Sequence, residues 1–182
     1  MAGDPIIKLS PIGTIKLSGG KTMVEVKVQG LFFDSETNQS IVILKDEATG
    51  RTLPIWVGLF EANAITMGIE HTWTPRPMTH DLIKNIIEGM NASVRQITVN
   101  DLRANTFYAI ISLEVDGRVV EIDSRPSDAI ALALRVKAPI FVAEKVLDSA
   151  GHAEPKTKKE VSDKWIDELF DKLKPEDFKS EM

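Results

Sequence analysis

The segment DSRPSDAIAL, residues 123–132, decides the fold prediction because it joins the polar end of a strand to an apolar helix. The charged groups of this turn are Asp123, Arg125 and Asp128. A helix N-terminus exposes unpaired backbone N–H groups and the positive end of the helix dipole, so anions bind there. Capping the helix needs one polar side chain, and either Ser124 or Ser127 is expected to supply it. The additional charged groups therefore indicate a site.

Outward from this segment, the sequence predicts two similar cycles of strands and helices. The first has strands that begin at residue 23 and lie at 40–46 and 51–57, followed by helices at 60–69 and 79–90, the latter capped by Thr79. The second has strands at 93–102, 106–115 and 118–123, a helix from about 125 to 136, and a short strand at 140–142. An ungapped offset of 67 residues aligns Arg51 with Arg118 and Glu61 with Asp128. This alignment indicates a duplicated β-β-β-α unit. The alternative is that any two such segments look alike at this level.

Four regions are predicted along the chain. They are an N-terminal arm at 1–21, a domain at 22–149, a polar linker at 150–160, and an amphipathic helix with a tail at 161–182. The apolar side chains of that C-terminal helix are Trp165, Ile166, Leu169 and Phe170. Such a helix usually docks on its own domain, and docking on a partner is the alternative.

The composition restricts the classes of function. The chain has 182 residues, no cysteine and a net charge of −5, so disulfides and thiolate chemistry are excluded. Proteins that bind nucleic acid mainly by counterion release are usually basic. A polyanionic partner would therefore need a local basic patch, a bound metal or an oligomer. No stretch approaches the roughly 20 apolar residues that span a bilayer, and the first residues lack a signal-peptide pattern, so we expect a cytoplasmic protein with no membrane partner.

Three segments, taken together in their order and spacing, resemble the bifunctional nuclease domain family. They are LPIWVG at 53–58 with Glu61 and Ala62, RPMTHDL at 76–82, and DSRPSDAIA at 123–131. The resemblance covers about residues 23–149. It implies an α+β fold. Together with the duplication, this predicts a mixed or antiparallel sheet with helices packed against it. It also implies DNase and RNase activity on nucleic acid, and a tendency to form homo-oligomers such as dimers.

The chemistry of phosphodiester hydrolysis assigns roles to charged residues of these segments. The reaction needs a nucleophilic water, neutralisation of charge on the phosphoryl oxygens and a proton for the leaving oxygen. The predicted metal ligands for Mg²⁺ or Mn²⁺ are Glu61, Asp123 and Asp128. The predicted phosphate-binding residues are Arg76 and Arg125. The predicted catalytic residues are the acid–base pair His80 and Asp81, together with Asp123 and Asp128.

Each of these residues also has a structural explanation. Acidic side chains such as Glu61 and Asp128 are favoured in first helical turns by the dipole. Asp123 can cap the following helix or pair with Arg125. Trp73, which follows a helix end, is expected in the core or at an interface. The acidic balance favours a second hypothesis, in which the protein is a non-catalytic oligomeric module that binds a ligand or regulates a partner.

Overall fold

The computed structural model describes residues 8–9, 14–16, 22–34 and 39–150. The predicted C-terminal helix, the linker from residue 151 onward and most of the predicted arm lie outside the described residues. Within the described part of the chain, no helix has the length and apolar character needed to cross a membrane.

The described residues contain nine strands and four helices. The strands are β1 (Lys8–Leu9), β2 (Thr14–Lys16), β3 (Thr22–Asp34), β4 (Gln39–Lys45), β5 (Thr52–Val57), β6 (Ala92–Arg103), β7 (Thr106–Val115), β8 (Arg118–Ser124) and β9 (Ile140–Ala143). The helices are α1 (Leu59–Ile69), α2 (Thr79–Gly89), α3 (Pro126–Val136) and α4 (Glu144–Ala150).

The strands of the described residues form one mixed sheet in the order β1-β2-β3-β9-β6-β7-β8. Strand β3 pairs with β9 over residues 23–26 and with β4 over residues 27–34, and β5 extends the sheet beyond β4. Strand β9 is antiparallel to β3 and parallel to β6, so it joins the two halves of the sheet. Together with the helices, this topology confirms the α+β prediction.

The two halves follow the predicted duplication. The offset of 67 residues carries both ends of α1 onto the ends of α3, and each helix has 11 residues. Each of these helices follows a strand that closes an antiparallel β-meander, β3-β4-β5 in one half and β6-β7-β8 in the other. The first turns of α1 and α3 therefore occupy equivalent positions.

The hydrophobic core lies between the sheet and the two equivalent helices. Fully buried members include Leu44, Leu53, Ile65, Ile97 and Ile130. Burial of one such side chain contributes about 1.5–3 kcal/mol. By contrast, no residue of α2 is buried, although its sequence is strongly amphipathic. The apolar side chains that α2 leaves exposed are Leu82, Ile83 and Ile86. The predicted homo-oligomer would cover such a face, and it stays a prediction.

Three details of the helices differ from the sequence predictions. Thr79 is the first residue of α2 rather than its cap, because the N-cap is Met78, whose backbone N–H donates to the Asp81 carboxylate at 3.0 Å. Neither Ser124 nor Ser127 caps α3, because its N-cap is Arg125 and no side chain makes a capping bond. The hydroxyl of Ser124 donates instead to the Arg125 carbonyl at 3.0 Å. Helix α4 was not predicted.

Helices α1 and α3 lie close together at Gly68. A Cβ at this position would lie 3.0 Å from Leu134 Cβ, which the backbone holds in place, and 3.2 Å from Arg135 Nη1. We expect Gly68→Ala to lower the free energy of unfolding by about 1–2 kcal/mol, because overpacking outweighs the better helix propensity of alanine. Urea unfolding measures this difference. The matched control is Gly89→Ala at the end of α2, where a Cβ meets nothing within 4 Å. Equal stability of the two variants would contradict the close approach of α1 and α3 at Gly68.

Candidate functional site

The N-terminal ends of α1, α2 and α3 meet at one place on the surface. Glu61 is the third residue of α1, His80 is the second residue of α2, and Asp128 is the third residue of α3. Arg125 directly precedes α3 as its N-cap. Hydrogen bonds connect these four side chains, and we call them the acid–base cluster. Residues that are up to 67 positions apart in the sequence are therefore neighbours in the fold.

Arg125 is the centre of the acid–base cluster. Its Nε and Nη2 donate to the two carboxylate oxygens of Asp128 at 2.7 and 3.1 Å. Its Nη1 donates to Glu61 Oε1 at 2.9 Å. The guanidinium thus joins the first turns of the two equivalent helices, and its fork geometry fits the carboxylate of Asp128. The side chain is nevertheless 64% exposed, so Arg125 is accessible from solvent.

The glycine that precedes α1 leaves space for the Glu61 side chain beside Arg125. Gly58 is the N-cap of α1, and a Cβ at that position would collide with the Glu61 carboxylate. The glycine therefore leaves room for Glu61 to fold back over the first turn. In this position the carboxylate also interacts favourably with the positive end of the helix dipole.

His80 is the least exposed member of the cluster, with 12% of its side chain accessible. Its Nε2 lies 3.3 Å from Asp128 Oδ1. Partial burial opposes ionisation of Asp128, but the hydrogen bonds from Arg125 and His80 outweigh it, so the pKa of Asp128 lies below its ordinary value. Asp128 is therefore ionised at neutral pH and accepts a hydrogen bond from the N–H of His80 Nε2. In the neutral imidazole, Nδ1 is left with a free lone pair.

Asp81 is directed away from the acid–base cluster. Its Oδ1 accepts from Arg135 Nε at 2.6 Å, and its Oδ2 accepts from the backbone N–H of Met78 at 3.0 Å. Partial burial opposes ionisation of Asp81, but these two hydrogen bonds outweigh it, so its pKa lies below the ordinary value. Asp81 thus holds α2 to the last turn of α3, while the adjacent His80 reaches the first turn.

Arg135 was not singled out in the sequence, although it is an arginine within the otherwise apolar run ALALRV at 131–136. Only 8% of its side chain is exposed. In addition to Asp81, its Nη1 donates to the carbonyls of Ala64 at 2.9 Å and Ala131 at 2.8 Å. A charged residue in an apolar helical run was the signal that could have revealed it, because such a group needs a buried partner.

The structure does not bring Arg76 and Asp123 into the cluster. Both residues are exposed, and neither side chain makes a hydrogen bond or ion pair with the part of the chain that the structure describes. Asp123 lies on β8, where it pairs with Ile110 of β7. Their roles in phosphate and metal binding stay predictions. Among the described residues, no three His, Asp or Glu side chains are grouped closely enough to hold a metal ion.

Comparison with known proteins relates most of the described domain to one family. Residues 42–155 match the family profile described as the bifunctional nuclease domain. An uncharacterized protein of Mycobacterium tuberculosis is 36% identical over 166 residues, which cover 87% of this chain and 99% of that protein. Bifunctional nuclease 2 of Arabidopsis thaliana is 28% identical over 152 residues, which cover 80% of this chain and 46% of the plant protein.

A second plant relative is bifunctional nuclease 1 of Oryza sativa subsp. indica. It is 26% identical over 121 residues, which cover 65% of this chain and 37% of the plant protein. The matched region therefore spans less than half the length of either plant relative.

Proposed function

Because the chain belongs to the bifunctional nuclease domain family, we propose that it is a nuclease that hydrolyses phosphodiester bonds of DNA or RNA. The observation that carries this proposal is the acid–base cluster, in which a histidine, an arginine and two carboxylates meet at three helix N-termini. The names of the plant relatives support the same reaction class.

Each member of the cluster is suited to one demand of the reaction. The exposed guanidinium of Arg125 is positioned to hold a phosphoryl oxygen, and the positive helix ends favour the same anion. Asp128 orients His80 through Nε2 and stabilises the imidazolium that forms when Nδ1 takes a proton. In the proposed reaction, His80 accepts the proton of the attacking water. The water oxygen bonds to phosphorus, the bond to the leaving oxygen breaks, and that oxygen takes up a proton from solvent, to which His80 then returns the proton that it accepted.

The charge of the cluster supports a role for a divalent cation. With His80 neutral, Glu61, Asp128 and Arg125 together carry one net negative charge, which repels a phosphodiester. Carboxylate oxygens are the ligands that Mg²⁺ and Mn²⁺ prefer. Glu61 and Asp128 are the members of the cluster that would hold such an ion. The ion would neutralise phosphoryl charge and lower the pKa of bound water.

Cleavage assays test the proposal directly. We expect the purified protein to cleave single- or double-stranded DNA or RNA with Mg²⁺ or Mn²⁺, and to lose activity when EDTA is present. Arg125→Met is expected to reduce the rate by about 10²–10³-fold, the typical cost of losing one donor to a developing oxyanion. Arg118→Met is the matched control, because Arg118 is an exposed arginine on β8 outside the cluster.

Three outcomes would contradict the proposal. Cleavage that Arg125→Met leaves unchanged would indicate a contaminating nuclease. Absence of cleavage with every substrate and ion would exclude a nuclease that acts without further components. Binding of nucleic acid without cleavage would favour the ligand-binding or regulatory module, in which the ion pairs of Arg125 are structural.

A further inference from the structure

A second feature of the surface lies beside the acid–base cluster, on the other side of the first turn of α2. It is a cavity of about 450 Å³, a volume in the range of small-ligand sites. Its walls are the end of α1, the segment between α1 and α2, the first two turns of α2, and the last turn of α3. The residues used below are His71, Trp73, Asp81, Lys84, Asn85 and Arg135, all of which line it.

Trp73 is the most unusual residue of this cavity. Its side chain is 81% exposed, which contradicts a core position within the chain. It follows His71, whose φ of +52° turns the chain at the end of α1. A large aromatic ring exposed at the edge of a polar cavity is suited to stacking on a flat ligand, and every nucleobase offers such a face.

Unpaired polar groups face the same cavity. The side chains of His71 and Asn85 make no hydrogen bond within the described ranges, and Lys84 has only a 3.9 Å ion pair with Glu88. An amide can donate to and accept from the edge of a base. The ammonium of Lys84 is suited to a phosphate. By contrast, Asp81 and Arg135 form the inner wall, where their mutual ion pair satisfies them.

The cavity and the acid–base cluster share the same two helices. On α2, His80 belongs to the cluster and Asp81 to the cavity; on α3, Asp128 belongs to the cluster and Arg135 to the cavity. The separation of seven positions between Asp128 and Arg135 corresponds to about 10 Å along the helix axis. A single strand covers that distance in at most about three nucleotides, since the stacked rise is ~3.4 Å per nucleotide.

From this arrangement we infer that the cavity binds one unstacked nucleobase of a single-stranded nucleic acid, stacked on Trp73, one to three nucleotides from the phosphate held at Arg125. The inference rests on the proposed function for its substrate class. Asn85 and His71 contact the base edge, and Lys84 contacts an adjacent phosphate. Double-stranded substrate has no free base to offer, so the cavity gives the enzyme a preference for single strands.

Equilibrium binding without cleavage tests this inference. The probe is a fluorescently labelled oligothymidylate of about eight nucleotides, titrated in EDTA to prevent metal-dependent hydrolysis. We expect Trp73→Ala to weaken binding by about 5- to 150-fold, because stacking of one base contributes about 1–3 kcal/mol. Trp73→Phe retains an aromatic face and is expected to recover most of the affinity.

The matched control is Trp56→Ala. Trp56 is also exposed, but it points away from the core face of β5, which Ile55 and Val57 occupy together with Ala62 of α1. Wild-type affinity in Trp73→Ala, or an equal loss in Trp56→Ala, would overturn the inference. If Trp73→Ala weakens binding but the protein cleaves no substrate, the base-binding site in the cavity is supported and the nuclease proposal is contradicted. If the protein cleaves nucleic acid but Trp73→Ala binds as tightly as the wild type, the nuclease proposal is supported and the base-binding site is contradicted.

Discussion

Replacing Asp128 with asparagine is expected to lower the rate of phosphodiester cleavage by about 10²–10⁴-fold, the range that a positioned acid–base residue contributes. The substitution keeps the shape of the side chain and removes its charge. His80 then loses the anion that fixes its tautomer and stabilises its protonated form, while Arg125 loses its bidentate partner. Initial rates on a single-stranded oligonucleotide measure the effect.

The control for this prediction is Asp116→Asn. Asp116 is exposed in the turn between β7 and β8 with a φ of +49°, a conformation that asparagine tolerates well. Its activity should equal that of the wild type. An unchanged rate in Asp128→Asn, with the fold intact by circular dichroism, would remove Asp128 from the catalytic machinery.

The same cleavage assay tests whether Asp123 belongs to the site. The sequence alone did not rank Asp123 against Asp128, since both carboxylates flank one strand–helix junction. In the structure only Asp128 contacts the other members of the cluster, because the first turn of α3 reaches His80 of α2 whereas Asp123 lies in the exposed part of β8. Full activity in Asp123→Asn would exclude Asp123 from the site, and a loss comparable to that of Asp128→Asn would restore it as a metal ligand.

Much of the fold was predictable because hydrophobic periodicity and turn residues act locally. The alternation in β3 and the repeat offset between α1 and α3 were both present in the sequence. The equivalence of Glu61 and Asp128 followed from that offset, and their common contact with Arg125 agrees with it. The repeat therefore predicted which helix starts are equivalent, and with them the matching positions of Glu61 and Asp128.

The remaining features depend on which surface each element meets, and periodicity does not contain that information. Helix α2 has an amphipathic sequence, yet its apolar side chains are exposed, since α2 contacts its neighbours through other residues. Asp81 looked like the partner of His80, but consecutive helical residues do not face the same way. Its partner is Arg135, which is 54 residues distant.

The ion pair between Arg135 and Asp81 leads to the largest expected effect on stability. We expect Arg135→Met to lower the free energy of unfolding by about 2–4 kcal/mol. Removing one partner of a buried pair costs about 3–5 kcal/mol, and the 31% exposure of Asp81 reduces that figure. Methionine fills much of the volume of the arginine side chain. The loss of stability therefore reports the unpaired carboxylate of Asp81 and the lost contacts with α1. Urea unfolding of the wild type and the variant measures it.

The pH dependence of the stability difference between wild type and Arg135→Met shows whether the ion pair or packing causes it. The pKa of Asp81 is lowered in the folded state, so its ion pair contributes stability above the unfolded-state pKa of about 3.9. That contribution is lost as the pH falls through the lower folded-state value. The gap between wild type and Arg135→Met should therefore be full at neutral pH and narrow below pH ~4. A gap that is the same at both pH values would assign the effect to packing instead.

A double-mutant cycle with Asp81→Asn then separates the pair from its surroundings. If the ion pair dominates, the double variant should be more stable than the sum of the two single losses predicts, because removing the second charge relieves the uncompensated first. Arg118→Met should unfold within about 0.5 kcal/mol of the wild type, as expected for an exposed residue without a partner in the described structure.

Since α2 carries His80, Arg135→Met should also lower the cleavage rate although Arg135 does not contact the cluster. Retained activity in a destabilised Arg135→Met would show that the first turn of α2 keeps its position without the ion pair between Arg135 and Asp81.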